Sequence, residues 1–252
     1  MDEFKLPIDK EKFRLTNAPW NELKLNHPWS VGYVSMLIEL KSFKNKEEWE
    51  AFYYEMGNYR LKKMKELNST LKNILNDACL EIKYINKLPK NIIAINKQNG
   101  RTENQLLKKG EILHHFINKK HPNITLNECV EAVKFRVIGE TWNGIILREH
   151  NTITTLKNEL PNLNFIKKEG EFDYNYAIDY EISFNNKLLC GIQIKPKSYT
   201  YNTTYILKAK RTNYKKNRKY QNKYNVPFFD IISTTKGEII NLTVVNKIKK
   251  LL

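Results

Sequence analysis

The sequence predicts an α/β fold in which helices flank a mixed central β-sheet, preceded by a mainly helical N-terminal region. Three observations support it. Aromatic residues recur at helical spacing in the first ninety residues, alternation predicts a β-hairpin over residues 176–195, and a helix–strand–strand–helix–strand order begins near Glu140. We place the boundary near residue 90, which divides the chain into residues 1–90 and a core of residues 91–252.

The N-terminal region contains two predicted helices. Over residues 47–67, Trp49, Phe52, Tyr53 and Met56 follow a helical period. A second helix is predicted over residues 71–85, with residues 68–70 as its N-cap. After a turn at Asn99-Gly100, further helices are predicted over residues 103–119 and 126–137.

Composition excludes several classes of protein. Of the 252 residues 41% are hydrophobic, the mean hydropathy is −0.60, and no apolar run approaches the ~18 residues of a membrane span. The first residues lack the pattern of a signal peptide. We therefore expect a cytoplasmic protein without a membrane partner.

The net charge of +16 favours a polyanionic partner, although a bias toward lysine in AT-rich coding would also produce it. Its distribution is more informative, because residues 195–229 hold ten basic residues, six tyrosines and no acid. Basic groups beside aromatic rings suit a surface that follows a nucleic-acid backbone, and a solvated basic helix is the alternative. The candidate DNA-binding residues here are Lys197, Tyr199, Lys208, Lys210, Arg211, Lys215 and Arg218. Arg101 is a further candidate, because arginine pairs with guanine through two hydrogen bonds.

The predicted hairpin has a defined register. A three-residue loop pairs Phe184 with Leu188 and Ile182 with Cys190, which fills one face with apolar side chains. A two-residue loop would place Phe184 opposite Lys187 and disturb the later pairs, so we predict the three-residue loop.

The other face of the hairpin carries Asp179 opposite Gln193, with Lys195 two residues further on and Glu181 nearby. These polar groups are unfavourable in a core unless they have partners. Gly191 is predicted to leave space beside Asp179 for a ligand. The alternative is a face that is simply solvated.

A fourth polar group precedes the hairpin. Glu149 falls on the apolar stripe of a helix predicted over residues 140–160, which places its carboxylate inward. Alternatively it lies at the edge of the stripe and pairs with Arg148 or Lys157.

The order of a helix glutamate, Asp179 and Gln193-Ile194-Lys195 resembles the core of the PD-(D/E)XK nuclease superfamily. Residues 101–103, 136–142 and 192–199 further resemble MjaI-type type II restriction endonucleases. The resemblance covers residues 95–245 and leaves the N-terminal region unexplained. The chain departs from the superfamily pattern in having Gln193 where an acid is usual, and Ala177-Ile178 where a proline often precedes the aspartate, so the number of metal ions is left open.

The residue types suit Mg²⁺, which Asp179, the Gln193 oxygen, the Ile194 carbonyl and Glu149 would bind, while Lys195 would act on the attacking hydroxide or the phosphate. The resemblance implies Mg²⁺-dependent hydrolysis of double-stranded DNA at a short site such as CTAG, a homodimer, and a cognate DNA methyltransferase. Residues 1–90 would serve DNA recognition or dimerisation. Two alternatives stay open: a non-catalytic DNA- or RNA-binding protein, and a repair or junction-resolving nuclease on the same core.

Overall fold

The computed structural model describes residues 1–168 and 170–252. The chain forms two compact units, one of residues 2–142 and one of residues 143–252 together with Met1. The boundary that we predicted near residue 90 falls inside the first of these units. No helix in the described ranges is long and apolar enough to cross a membrane.

The first unit is helical throughout. Its helices are α1 (Lys10–Leu15), α2 (Asn17–Glu22), α3 (Pro28–Val31), α4 (Val34–Ile38), α5 (Lys46–Lys65), α6 (Ser69–Asn76), α7 (Ile82–Ile85), α8 (Lys90–Lys97), α9 (Glu103–Ile117), α10 (Leu126–Lys134), a π-helical segment (Phe135–Gly139) and α11 (Glu140–Trp142). The helical N-terminal region is therefore as predicted.

The predicted helix over residues 71–85 is wrong in one respect, because it is interrupted after α6. Asp77 leaves the helical conformation there, and its carboxylate accepts a hydrogen bond from the backbone N–H of Cys79 at 2.9 Å.

Two glycines bring α5 against the chain that precedes α9. A Cβ atom on Gly57 would lie 2.2 Å from the carbonyl carbon of Arg101, and one on Gly100 would lie 2.2 Å from the Tyr53 carbonyl oxygen. Only glycine permits so close an approach of two backbones. Arg101 is thus held against α5 within the core of this unit.

The second unit contains the sheet. Its elements are a π-helical segment (Asn143–Leu147), α12 (Arg148–Glu159), β1 (Asn164–Lys167), α13 (Glu171–Tyr176), β2 (Tyr180–Phe184), β3 (Lys187–Pro196), a 3₁₀ turn (Lys197–Thr200), α14 (Thr204–Tyr224), β4 (Phe228–Ser233) and α15 (Thr243–Lys249). The strand order is β1-β2-β3-β4, antiparallel except for the parallel pair β3-β4. This mixed sheet confirms the predicted fold class. The sequence analysis missed β1, a four-residue strand at the edge of the sheet.

The hairpin of β2 and β3 has the predicted register in its body and a different turn. Ile182 pairs with Cys190 as expected, but Phe184 pairs with Lys187 across a two-residue turn. Both turn residues, Asn185 and Asn186, have positive φ (47° and 63°), which asparagine tolerates better than most residues. The register shifts by one residue at Leu189, so a β-bulge reconciles the short turn with the pairing beyond it.

The two faces of the sheet have different coverings. On one face, Ile182, Cys190, Ile192 and Ile231 form a core with helix residues that include Leu156. On the other face lies α14.

Gly191 belongs to the face covered by α14. A Cβ atom at this position would lie 2.8 Å from the ring of Tyr220, whose hydroxyl donates a hydrogen bond to Glu181 at 3.1 Å. The predicted space for a ligand beside Gly191 is therefore filled by Tyr220, and that prediction is wrong.

Candidate active site

Asp179, just before β2, is fixed against β3 by two hydrogen bonds. Its backbone N–H donates to the Ile192 carbonyl at 2.9 Å, and its carboxylate accepts from the Ile194 N–H at 2.6 Å. These bonds place Asp179 beside Gln193, as the hairpin pattern predicts. Burial raises the pKa of Asp179, while the charge of Lys195 and the Ile194 hydrogen bond act in the opposite direction.

Gln193 is deeply buried, with 4% of its surface exposed. Its side-chain oxygen Oε1 has no hydrogen-bond donor among the described residues. The alternative of a solvated hairpin face does not hold at this position. A buried amide oxygen without a donor is uncommon and indicates a place where a further group could bind.

Lys195 acts electrostatically on three carboxylates. Burial raises the pKa values of Asp173 in α13, Asp179 and Asp230 in β4, and the positive charge of Lys195 opposes this effect in each case. The pKa of Asp173 rises to about 6. The Lys195 Nζ atom also lies 5.6 Å from the centre of the Tyr199 ring. A lysine so placed is positioned to offset negative charge at the site.

Asp230 is a site residue that the sequence analysis missed. The parallel register pairs it with Gln193, and its Oδ1 atom is buried without a donor from the described part of the chain. One signal was available. An aspartate within the strand Phe228–Ser233, otherwise apolar but for its last residue, is unusual because acids are unfavourable in buried strands.

Glu149 is directed inward, with 18% of its side chain exposed. Its partner is Lys167 in β1, at 3.5 Å between Oε1 and Nζ, in place of the Arg148 or Lys157 that the edge alternative proposed. Burial raises the pKa of Glu149 to about 7, and the negative charge of Asp179 contributes to the increase. The two carboxylates therefore influence each other.

Most of the predicted DNA-binding residues lie on the surface. Exposed positions of α14 form a stripe at spacings of three and four residues, namely Lys208, Arg211, Lys215 and Arg218. Lys197 in the 3₁₀ turn is also exposed.

Tyr199 and Lys210 differ from that stripe. Tyr199 is 8% exposed, its hydroxyl accepts a hydrogen bond from Asn213 at 3.4 Å, and the Nζ atom of the half-buried Lys210 lies 5.6 Å from its ring centre. Both residues line a cavity of about 540 Å³, together with Tyr214, Phe228 and Asp230. The ring of Tyr199 is therefore part of a cavity wall next to Lys195, and its contact with DNA stays a prediction.

Arg101 does not lie on a surface that could reach a base. It is 3% exposed, and its guanidinium donates to the carbonyls of Trp29, Asn96, Asn99 and Gly100 at 2.6–3.2 Å. Because its Nη1 and Nη2 atoms are engaged with backbone oxygens, the predicted base contact of Arg101 is wrong. The two glycine contacts hold this residue in the core of the helical unit.

The available ligands are hard oxygen donors, which suit Mg²⁺. Asp179 just before β2, Gln193 in β3 and Glu149 in α12 provide them, and the two unpaired oxygens belong to the register partners Gln193 and Asp230. Within the described residues, no three or more His, Cys, Asp or Glu residues are grouped closely enough to hold a metal ion.

The fold and the polar residues Asp179, Gln193 and Asp230 define a class of protein first. A four-strand mixed sheet flanked by helices is consistent with the restriction-endonuclease-like fold, so the class is that of endonucleases. A family model described as MjaI restriction endonuclease matches residues 14–242, and the chain belongs to this family. The match begins well before residue 95, so the family also includes most of the helical N-terminal unit. No curated protein and no solved structure matches the chain.

Proposed function

We propose that this endonuclease is a Mg²⁺-dependent type II enzyme that hydrolyses phosphodiester bonds in double-stranded DNA at a short specific site. The observation that carries the proposal is the grouping of Asp179, Gln193 and Lys195 on one face of the hairpin. The charge of Lys195 opposes the effect of burial on the pKa values of three carboxylates there, and a buried amide oxygen has no donor from the described residues.

Each side chain has a defined part in this reaction. Asp179, the Gln193 oxygen, the Ile194 carbonyl and Glu149 would hold Mg²⁺, which when bound polarises the phosphate and lowers the pKa of a bound water. Lys195 offsets the negative charge that develops on the phosphate oxygens. Burial raises the pKa of Glu149 to about 7, and a cation bound there would favour its charged form.

The finer features of the enzyme belong to the same proposal. A palindromic site, for which CTAG is our hypothesis, would be cut by a homodimer, because two-fold symmetry in the DNA matches two-fold symmetry in the protein. A cognate DNA methyltransferase would protect the same site in the cytoplasm of the host. Residues 1–90 would then serve DNA recognition or dimerisation.

The test is incubation of the full chain with plasmid DNA, in Mg²⁺ or in EDTA, followed by mapping of the ends. We expect a discrete set of fragments in Mg²⁺, none in EDTA, and none with Asp179→Asn. The control is Glu159→Gln, which removes an exposed carboxylate on α12 and should cut normally. Random degradation would reject site specificity, and cutting by Asp179→Asn would reject the active site.

The exposed basic stripe of α14 supports a second candidate, a DNA- or RNA-binding protein without catalysis. Equal binding to all duplexes at physiological salt, without cleavage in Mg²⁺, would favour this candidate. A repair or junction-resolving nuclease would instead prefer a four-way junction to a linear duplex of the same sequence, so both substrates belong in the assay.

A further inference from the structure

The parallel pairing of β3 and β4 brings a second carboxylate to the polar row. Asp230 is the register partner of Gln193, so their side chains leave the sheet on the same face. Neighbouring strands lie about 4.8 Å apart, a distance that two such side chains can span with one cation between them. Asp179 flanks Gln193 on the other side, which gives the row Asp179, Gln193 and Asp230.

Two oxygens in this row lack hydrogen-bond donors. Neither Gln193 Oε1 nor Asp230 Oδ1 receives a hydrogen bond from any residue that the structure describes, and both atoms are buried. Leaving one buried acceptor unpaired is unfavourable, and two adjacent unpaired acceptors repel each other. A shared positive ligand would relieve both effects at once.

The charge balance of the row indicates what that ligand is. Gln193 is neutral, and the Glu181 carboxylate is already paired with Lys168 and with the Tyr220 hydroxyl, so among the described residues the hairpin leaves the Asp179 carboxylate for a cation. We propose that Asp230 is a ligand of the divalent cation and supplies from β4 the negative charge that Gln193 lacks. This assignment rests on the function proposed above. Asp230 takes the place of Glu149 as the second carboxylate of the site, because no three His, Cys, Asp or Glu residues in the described part of the chain are grouped closely enough to hold a metal ion.

The competing explanation is that Asp230 only holds a lysine side chain in place. Lys195 and Lys210 both influence Asp230, so it could hold one of them in place without touching a metal. The two roles can be separated by adding a carboxylate at position 193 when the carboxylate of Asp230 is removed. A carboxylate at position 193 could still bind the metal ion, whereas it would not hold a lysine side chain in the position that Asp230 gives it.

The experiment measures Mn²⁺ binding to the full chain by isothermal titration calorimetry, without DNA. The variants are Asp230→Asn, Asp179→Asn, and the double variant Gln193→Glu with Asp230→Asn. Glu159→Gln serves as the matched control, because it removes one negative charge at an exposed position. A cooperative thermal transition in each variant confirms that it is folded.

We expect Asp230→Asn to weaken Mn²⁺ binding at least about tenfold, since even groups that only orient metal ligands have effects of that size. Gln193→Glu in the same chain should restore most of the loss. If Asp230→Asn binds Mn²⁺ like the wild type while Asp179→Asn does not, the role of Asp230 is rejected and the proposed function stands. A loss that Gln193→Glu fails to restore rejects the ligand role in favour of the lysine role. Wild-type protein that neither binds Mn²⁺ nor cuts DNA rejects the proposed function together with this inference.

Discussion

Two sets of buried polar groups, one in each unit of the chain, differ in their hydrogen bonding. In the helical unit, Arg60 and Arg101 are 1% and 3% exposed, and the hydrogen bonds that they donate go to backbone carbonyls and to the side chain of Asn96. In the unit that contains the sheet, the buried oxygens of Gln193 and Asp230 receive no hydrogen bond from the residues described.

The difference separates structural from chemical use of a buried polar group. A guanidinium that is bonded to fixed carbonyls stabilises the fold and is not available to a ligand. A buried acceptor without a donor has lost its hydrogen bonds to water and has gained none in the fold. Such groups are typical of sites that bind a ligand. Three groups of the helical unit depart from this division, because the Ser30 hydroxyl, Nη1 of Arg60 and Nε of Arg136 are buried without a partner among the described residues.

The largest effect that we expect concerns the candidate active site in the unit that contains the sheet. Lys195→Met should slow cleavage at least about a hundredfold, the usual effect of removing one group that stabilises developing charge. The free energy of unfolding should also fall at neutral pH, because Lys195 opposes the effect of burial on three carboxylates. Single-turnover cleavage and urea denaturation measure the two quantities. Lys187→Met, at the exposed end of the same strand, is the control and should cut normally. Similar losses in both variants would argue against the position of Lys195 at the site.

The next effect concerns the structural side. Arg101→Met should lower the free energy of unfolding by about 3 kcal/mol or more, because it leaves several buried carbonyls without donors. Urea denaturation measures the change, and Arg14→Met, in an exposed ion pair, should change it by less than about 1 kcal/mol. The sequence preference of the folded fraction should be unaltered. An altered preference with normal stability would restore the base contact that the structure excludes.

A smaller effect involves a buried cation next to these arginines. Burial, together with the charges of Arg101 and Arg60, lowers the pKa of Lys109 to about 7. The unfolded chain therefore binds more protons than the folded chain between about pH 7 and pH 10.5, and the free energy of unfolding rises with pH across that range.

Lys109→Met should remove this pH dependence and, at pH 7 and below, raise the free energy of unfolding by about 1 to 3 kcal/mol. Urea denaturation at several pH values measures both. Lys108→Met, one residue earlier and exposed, should show the same pH dependence as the wild type. If the curves of the two variants coincide, Lys109 is not held in its uncharged form.

The smallest effect per residue concerns the exposed basic residues of α14. Changing Lys208 and Arg211 to Gln should weaken DNA binding about equally on all sequences, and the salt dependence should fall by up to ~0.9 for each lost phosphate contact. Fluorescence anisotropy at several salt concentrations measures both, with Lys247→Gln plus Lys250→Gln on and beside α15 as the control. A change in sequence preference would instead indicate that α14 contacts base edges.

Local pattern was sufficient for much of the fold. Alternation placed Asp179, Gln193 and Lys195 on one face of the hairpin, and helical periodicity placed Glu149 inward. What failed depended on distant contacts. The positions of Tyr220 over Gly191 and of Asp230 beside Gln193 follow from the packing of α14 and the parallel pairing of β4, which involve residues about 30 to 40 positions away and no local pattern. Arg101 failed for the same reason, since its burial depends on Gly57 in a separate helix.

The bulge at Leu189 has a consequence for how this hairpin can vary. Because it absorbs one residue between the Asn185-Asn186 turn and Cys190, the length of the turn is uncoupled from the alignment of Asp179 with Gln193. Relatives of this chain can therefore gain or lose a residue at the tip by exchanging the bulge for a longer turn. The length of the turn can change while the pairing at the opposite end of the two strands stays the same.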